Sequence, residues 1–488
     1  MKSDKAQIQT FWFTIINYLG TVIGIFSTIF IYPYYKDLYG KVGFIDSAAQ
    51  ILIPILVFGG SHAIIHFYPT LTKDNKSKLF SFSLKNILII SLGIGILILL
   101  GDLFIDSGKY KYIYYSFPIA IALAALEVFK KQAATIQKIA IPTLFEKIIP
   151  KISLLLIFIL VIIEVFNETS GLIFFIISYL LVFTLSSLYV YKKSDLSIRF
   201  NTKGLFEQVE RREYFVYVFY SFLVSWGSFL AFRLDGLMIP LFLDFQDNGS
   251  YKIAVNLSSA ISVPAIGIFT IYAPKISALV KNNDIDTLNV KYTETAKILF
   301  FIGFIMVGCI IIGIKLFFQL LPSGKELMDS ASVIYILSIN MLINMGTGLN
   351  TEIITYSKYY RFNIVSVLSL VVVNIALNLY VLTQTSYGIV GVAIASLIAV
   401  TLFNAVKLIF IYKKFKILPF DIGYLKLFLS LNLIYLVVYL IPEFNNLWIT
   451  LIFKIGLAIG LSLFVVYQLK LVHAYNQWVN KLISRFSQ

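Results

Sequence analysis

The chain has 488 residues, of which 59% are hydrophobic and 13% charged, and its mean hydropathy is +0.86. A soluble domain carries about a quarter of its residues as charges, so the composition excludes a soluble body and indicates a polytopic membrane protein. The formal net charge of +15 would suit nucleic acid in a soluble chain. Its placement, described below, is that of a topology signal, and no nucleic-acid partner is expected.

Apolar runs of about twenty residues, each long enough to cross a hydrocarbon core of roughly 30 Å, recur along the sequence. Residues 1–10 are polar and lead into a full-length span with no early small-residue cleavage site. That first span is therefore expected to stay as an anchor. Fourteen spans are expected, at approximately 11–32, 44–67, 85–104, 113–132, 147–166, 171–191, 214–242, 249–273, 296–320, 331–353, 362–382, 388–412, 422–441 and 446–469. Connections are short, and the longest polar one, 192–213, carries Lys192, Lys193, Arg199, Lys203, Arg211 and Arg212. The lone cysteine, Cys309, sits inside an apolar run, where it acts as a small buried hydrophobe and excludes a disulfide framework.

The basic residues set the orientation. With the N-terminus inside, cytoplasmic segments hold 30 of the 40 Lys and Arg residues. Outer segments hold Lys36, Lys41, Lys109, Lys111, Lys252 and Lys325, and Arg233, Lys315, Lys407 and Lys454 remain within spans. This bias places both termini in the cytoplasm, with attraction to anionic lipid as a side effect.

A weak internal repeat is present. Gly43 to Ala48 followed by Pro54 parallels Gly249 to Ala254 followed by Pro264. Six spans precede the 192–213 linker and six follow it, so the halves share one orientation, related by an axis along the membrane normal with a substrate path between them. The expected organisation is all-α: a first lobe over 1–191, the cytoplasmic linker over 192–213, a second lobe over 214–412, and two appended spans with a cytoplasmic tail over 413–488. Within the second lobe, 371–404 reads as two spans joined by a tight outer turn. Asn374 and Asn378 lie one helical step apart there, and buried amides need partners across a helix interface. Gly388, Gly391 and Ala395 form a small-residue stripe on the following span.

Five polar residues are candidates to line the path. Arg233 lies near the middle of span seven, where an arginine costs at least about 2.5 kcal/mol and must face a cavity or a partner. Asp235 lies roughly 200° further around the helix, so it is not the natural mate of Arg233. Either residue lines a cavity or clasps a neighbouring helix, with Glu352 or Asp46 as the acid for Arg233. His62 and His66 share one face of span two. A metal would need more ligands than this pair offers, so no metal site is expected. The rings would meet a phosphate, join proton coupling, or serve as hydrogen-bonded interface residues. Glu352 has no evident local partner.

Other charges have simpler readings. Glu127 with Lys130 and Lys131 has ordinary helix ion-pair spacing, and Lys315, Lys407 and Lys454 lie within snorkelling reach of an interface. The tyrosines at 32, 34, 35 and 39, and at 110, 112, 114 and 115, form interfacial belts. No phosphate-binding glycine loop, metal cluster or nucleophile–base pair is found, so neither ATP hydrolysis nor any other enzymatic activity or cofactor is expected.

The pattern N-x-x-x-N, a short turn, then Y-G-x-x-G-x-A-x-A-S over 371–404 resembles a hallmark of the multidrug/oligosaccharidyl-lipid/polysaccharide (MOP) exporter superfamily. The stretch P-Y-Y-K-D-L-Y-G at 33–40, followed by Gly43, Ala48 and Ala49, is similar to the turn between spans one and two of its polysaccharide flippases. The resemblance implies a MATE-like fold of two six-helix lobes in pseudo-two-fold arrangement, with fourteen spans as in the flippase branch. It implies translocation of polyprenyl-diphosphate-linked oligosaccharide repeat units across the bacterial cytoplasmic membrane by alternating access, through a central cavity that is usually cationic. An Asp near Asp235 fits the flippase pattern, and His66 stands where flippases often carry arginine. The implied partners are the undecaprenyl-type lipid-linked substrate and membrane lipids, with a monomer working near a polymerase and glycosyltransferases. Coupling would be to protons, sodium or the membrane potential.

Three alternatives fit the residues less well. A drug or toxin antiporter of the same fold is disfavoured because span one has no acid. A peptidoglycan-precursor flippase is disfavoured because span one has no arginine. A membrane polymerase or glycosyltransferase is disfavoured because the outer loops are short.

Overall fold

The computed structural model describes residues 18–104, 108–194, 197–198, 202 and 204–486. Residues 1–17, and Arg199 and Lys203 of the linker, lie outside the described residues. The described chain is helical, with no strand among the described residues, as expected of an all-α membrane protein. By backbone contacts it divides into two compact units, Met1–Lys252 and Ile253–Gln488.

The first unit contains α1 (Tyr18–Phe30), α2 (Lys36–Val57), α3 (Gly60–Phe67), α4 (Lys73–Asp102), α5 (Tyr112–Thr135), α6 (Ala140–Ile162) and α7 (Glu168–Lys193). A short α8 (Leu205–Gln208), then α9 (Arg211–Arg233), α10 (Asp235–Phe242) and the start of α11 (Phe245–Ser259) complete it. Helix α2 lies against α5, and α7 against both α5 and α6. Ser47, Ala48 and Ala49 on α2 and Ala120, Ala122, Ala124 and Ala125 on α5 are buried. Small residues of this kind let backbones approach where lipid supplies no hydrophobic drive. Helix starts are capped by side chains: Thr72 Oγ1 accepts the Asn75 amide at 3.4 Å and Asn167 Oδ1 accepts that of Ser170 at 2.8 Å.

The second unit holds the rest of α11, then α12 (Val263–Lys281), α13 (Ile285–Gln319), α14 (Gly324–Met328), α15 (Ala331–Gly346), α16 (Asn350–Tyr356), α17 (Tyr360–Gln384) and α18 (Gly388–Phe415). Helices α19 (Ile422–Leu440) and α20 (Leu447–Gln468) pack on α13. Phe300, Phe304, Leu427, Leu431 and Tyr435 form the core there, and a Cβ at Gly308 would overlap the Tyr435 ring. The residues read from sequence as a plain tail include a further helix, α21 (His473–Phe486), with Trp478 and Ile483 exposed.

Eleven helices among the described residues are long and apolar enough to cross a membrane, or up to twelve if α15 and α16, bent by 47°, form one span. Fourteen spans were expected. The other two correspond to α1, described from Tyr18 onward, and to α6, whose apolar run is interrupted by Glu146, Lys147 and Lys151. Two more expected spans are interrupted. Span two bends at Phe58 and Gly59, with φ of +44° and +73°, because the Val218 carbonyl occupies the place a Cβ on Gly59 would take. Span seven is interrupted for one residue at Leu234, between Arg233 and Asp235, where the backbone keeps helical φ and ψ of −61° and −41°.

Candidate functional site

Gly236, two residues past the break in span seven, packs directly on α2, where a Cβ would overlap Ser47 Oγ. That contact brings the end of α9 beside Asp46. Arg233 NH1 lies 3.5 Å from Asp46 Oδ2, and Lys252 Nζ of α11 lies 3.4 Å from the same oxygen. Gln50, one turn further along α2, donates its side-chain amide to Asp46 Oδ1 at 2.8 Å. Both carboxylate oxygens are thus engaged, and two cations share one acid. The Asp46 and Lys252 side chains are 16% and 14% exposed, and that of Arg233 33%. Of the partners the sequence offered Arg233, the structure selects Asp46.

The surroundings of this cluster are tightly packed. Asn248 donates to the Gly40 carbonyl at 2.7 Å, and a Cβ at either Gly40 or Gly249 would strike backbone of the facing segment. Lys109 donates to the carbonyls of Pro240 and, at 2.7 Å, Leu243, where a cation suits the C-terminal end of α10. Asp235 accepts the Tyr251 hydroxyl at 2.6 Å.

The two histidines sit on α3, beyond the bend of span two, and both meet α9. His62 Nε2 and Ser225 Oγ share a hydrogen bond of 3.3 Å. The His66 ring stacks on Tyr217 with centroids 4.1 Å apart and planes 14° apart. They are separate from the Arg233 cluster in their contacts.

Glu352 belongs to the second unit, at the bend between α15 and α16 where Gly348 has φ +66°. A buried polar network fills this bend. Asn404 Oδ1 on α18 accepts from Thr347 at 3.0 Å and from Asn350 at 2.9 Å. Lys407, one turn on, donates to Thr351 at 2.9 Å and lies 3.9 Å from the centre of the Phe403 ring. Glu352 follows Thr351 in the first turn of α16. The expectation that Lys407 and Lys454 snorkel is corrected here: they are 1% and 5% exposed, enclosed by neighbouring helices. The stripe on α18 is corrected too. Gly391 is buried against Val381 of α17, but Gly388 has open space about it and φ +51°, serving the turn.

The chain is similar in structure to three solved transporters. One is the lipid II flippase MurJ in an inward-closed conformation, with TM-score 0.72 and 16% identity, covering 93% of this chain and 98% of that one. Another is an inward-facing multidrug resistance MATE transporter of the MOP superfamily, with TM-score 0.61 and 15% identity over 83% of this chain and 94% of that one. A MOP superfamily transporter from Pyrococcus furiosus matches at TM-score 0.57 and 14% identity, covering 84% and 95%. The chain has the fold of these transporters. No protein-family model and no curated protein matches its sequence.

Within this fold, sequence reasoning missed three cations. Lys252 was assigned to an outer segment, although the repeat offset from Gly43 to Gly249 also carries Asp46 onto Lys252. Lys407 was read as interfacial, although Asn404 one turn earlier signalled a polar face. Lys151 lies only four residues past the expected start of span five at 147 and so reads as part of its cytoplasmic end, whereas α6 begins at Ala140 and holds it mid-helix.

Proposed function

We propose that this chain is a flippase that moves polyprenyl-diphosphate-linked oligosaccharide repeat units from the cytoplasmic to the outer leaflet of a bacterial cytoplasmic membrane. The observation that carries the reading is the state of Asp46: the acid beside the break in span seven is neutralised by both Arg233 and Lys252. A carrier of cationic drugs needs an acid left open for its cargo, whereas an excess of cations suits a diphosphate. The fold shared with a lipid II flippase along 93% of the chain supports a lipid-linked cargo.

In this reading the repeats at 1–191 and 214–412 alternate access, the linker 192–213 joins them, and both termini are cytoplasmic. Arg233, Asp235, His62, His66 and Glu352 are the residues proposed to serve the headgroup. Arg supplies a forked donor set suited to phosphate oxygens. Moving two negative charges outward across about 100 mV, inside negative, gains on the order of 4.6 kcal/mol, so the membrane potential contributes in the right direction.

The test is reconstitution into vesicles containing a fluorescent polyprenyl-diphosphate oligosaccharide. Leaflet exchange should rise with protein and not with a boiled control. Export of cationic dyes without lipid exchange would replace this reading with that of a drug antiporter.

A further inference from the structure

Lys151 is the twelfth of the 23 residues of α6, roughly 16 Å along the helix from its first residue and so midway along it. Its ammonium donates to the main-chain carbonyl of Gly20 on α1 at 2.5 Å. Gly20 and Gly24, one turn apart, make room for it. A Cβ on Gly20 would lie 3.3 Å from the Lys147 carbonyl and 3.5 Å from Lys151 Nζ, and one on Gly24 would lie 3.4 Å from Nζ. The glycine face that would ordinarily receive another helix here carries a lysine side chain.

Three other cations within the helices are occupied differently. Arg233 and Lys252 share Asp46, and Lys407 is sealed at 1% exposure against Thr351 and Phe403. Lys151 is partly exposed and, among the described residues, has no carboxylate within ion-pair distance. A neutral carbonyl holds it, so an incoming anion displaces no charged competitor. Lys147, one turn toward the helix start, is exposed and adds positive potential on the same side.

We infer that Lys151 is a further binding residue for the anionic diphosphate headgroup of the lipid-linked substrate. The inference rests on the reading proposed above. A charge-assisted contact of this kind changes affinity roughly ten- to a hundredfold. The ammonium is a compact, readily rehydrated charge, suited to a ligand that must be released.

The full chain in lipid nanodiscs would be probed with undecaprenyl diphosphate, undecaprenol and inorganic diphosphate. Lys151→Gln should weaken retention of undecaprenyl diphosphate at least tenfold, Lys151→Arg should restore most of it, and the exposed Lys315→Gln should leave it unchanged. Wild-type retention with no loss in Lys151→Gln would reduce Lys151 to a strap between α1 and α6. A wild type that holds undecaprenol as well as the diphosphate would instead overturn the flippase reading itself. Amine labelling of the wild type, read by mass spectrometry, needs no variant to fold. Undecaprenyl diphosphate should protect Lys151 from the reagent, and undecaprenol should not. Equal labelling with either lipid would overturn the inference, and equal protection by inorganic diphosphate would overturn the assignment to a lipid-borne group.

Discussion

Asp46 and Lys252 are separated by 206 residues, the spacing of the internal repeat, and they pair with each other at 3.4 Å. Identical charges this close would repel. The repeat carries an acid in one copy and a base in the other, and Arg233 adds a second base to the same acid.

That arithmetic makes the cluster asymmetric in stability. Asp46→Asn leaves two cations without an acid, and removal of one partner from a buried pair costs about 3 kcal/mol. Arg233→Ala or Lys252→Met leaves a one-to-one pair, and each should cost less than half as much. Thermal unfolding in detergent should rank Asp46→Asn well below both. A ranking in which Arg233→Ala is the least stable would contradict the shared-acid geometry.

Transport should separate from stability at Arg233. Lys252 still pairs with Asp46 in Arg233→Ala, so the variant should accumulate in folded form yet lose most lipid exchange in vesicles. Arg233→Lys should recover part of it, with charge but without the fork. Near-normal exchange per folded Arg233→Ala molecule would remove Arg233 from the substrate path.

Two neighbouring glycines should respond in opposite ways. Gly391 has no room for a side chain beside Val381, so Gly391→Leu should sharply reduce the folded protein recovered from membranes. Gly388 has room but a left-handed backbone, so Gly388→Ala should cost roughly 1 kcal/mol and Gly388→Asn less. Fluorescence-detected gel filtration of the three variants would check the order.

The polar network at the bend of α15 and α16 converges on Asn404 Oδ1. Asn404→Leu removes that acceptor but leaves the Asn350 amide bonded to Thr347 and the Thr347 hydroxyl bonded to the Asn344 carbonyl, at about 1 kcal/mol. Thr401→Val on the same helix, where the side chain is exposed, should stay within about 0.5 kcal/mol of wild type. Equal melting of the two variants would show that water replaces Asn404.

Most spans were legible because a run of apolar residues has no soluble alternative, and Arg233 was legible because one charge in such a run is conspicuous. The breaks were not. The bend at Phe58 and Gly59 is imposed by the Val218 carbonyl, and the Leu234 break accompanies the packing of Gly236 on Ser47; both belong to another helix. Lys151 escaped for a related reason. Charges near a span's end pull a hydropathy boundary inward, so the seven residues of α6 before Lys147 were read as loop and a mid-helix lysine as a cytoplasmic one.

The left-handed step at Phe58 and Gly59 makes α9 and span two fit as key and keyway. The peptide of Val218 fills the notch beside Gly59, and Phe58 stacks on Phe222 one turn further along α9, with ring centroids 4.8 Å apart. If span two straightened into a single rod, residue 59 would be driven into that peptide, so α9 would first have to slide or roll out of the notch. The two helices are therefore interlocked, and neither can change its shape while the other stands still.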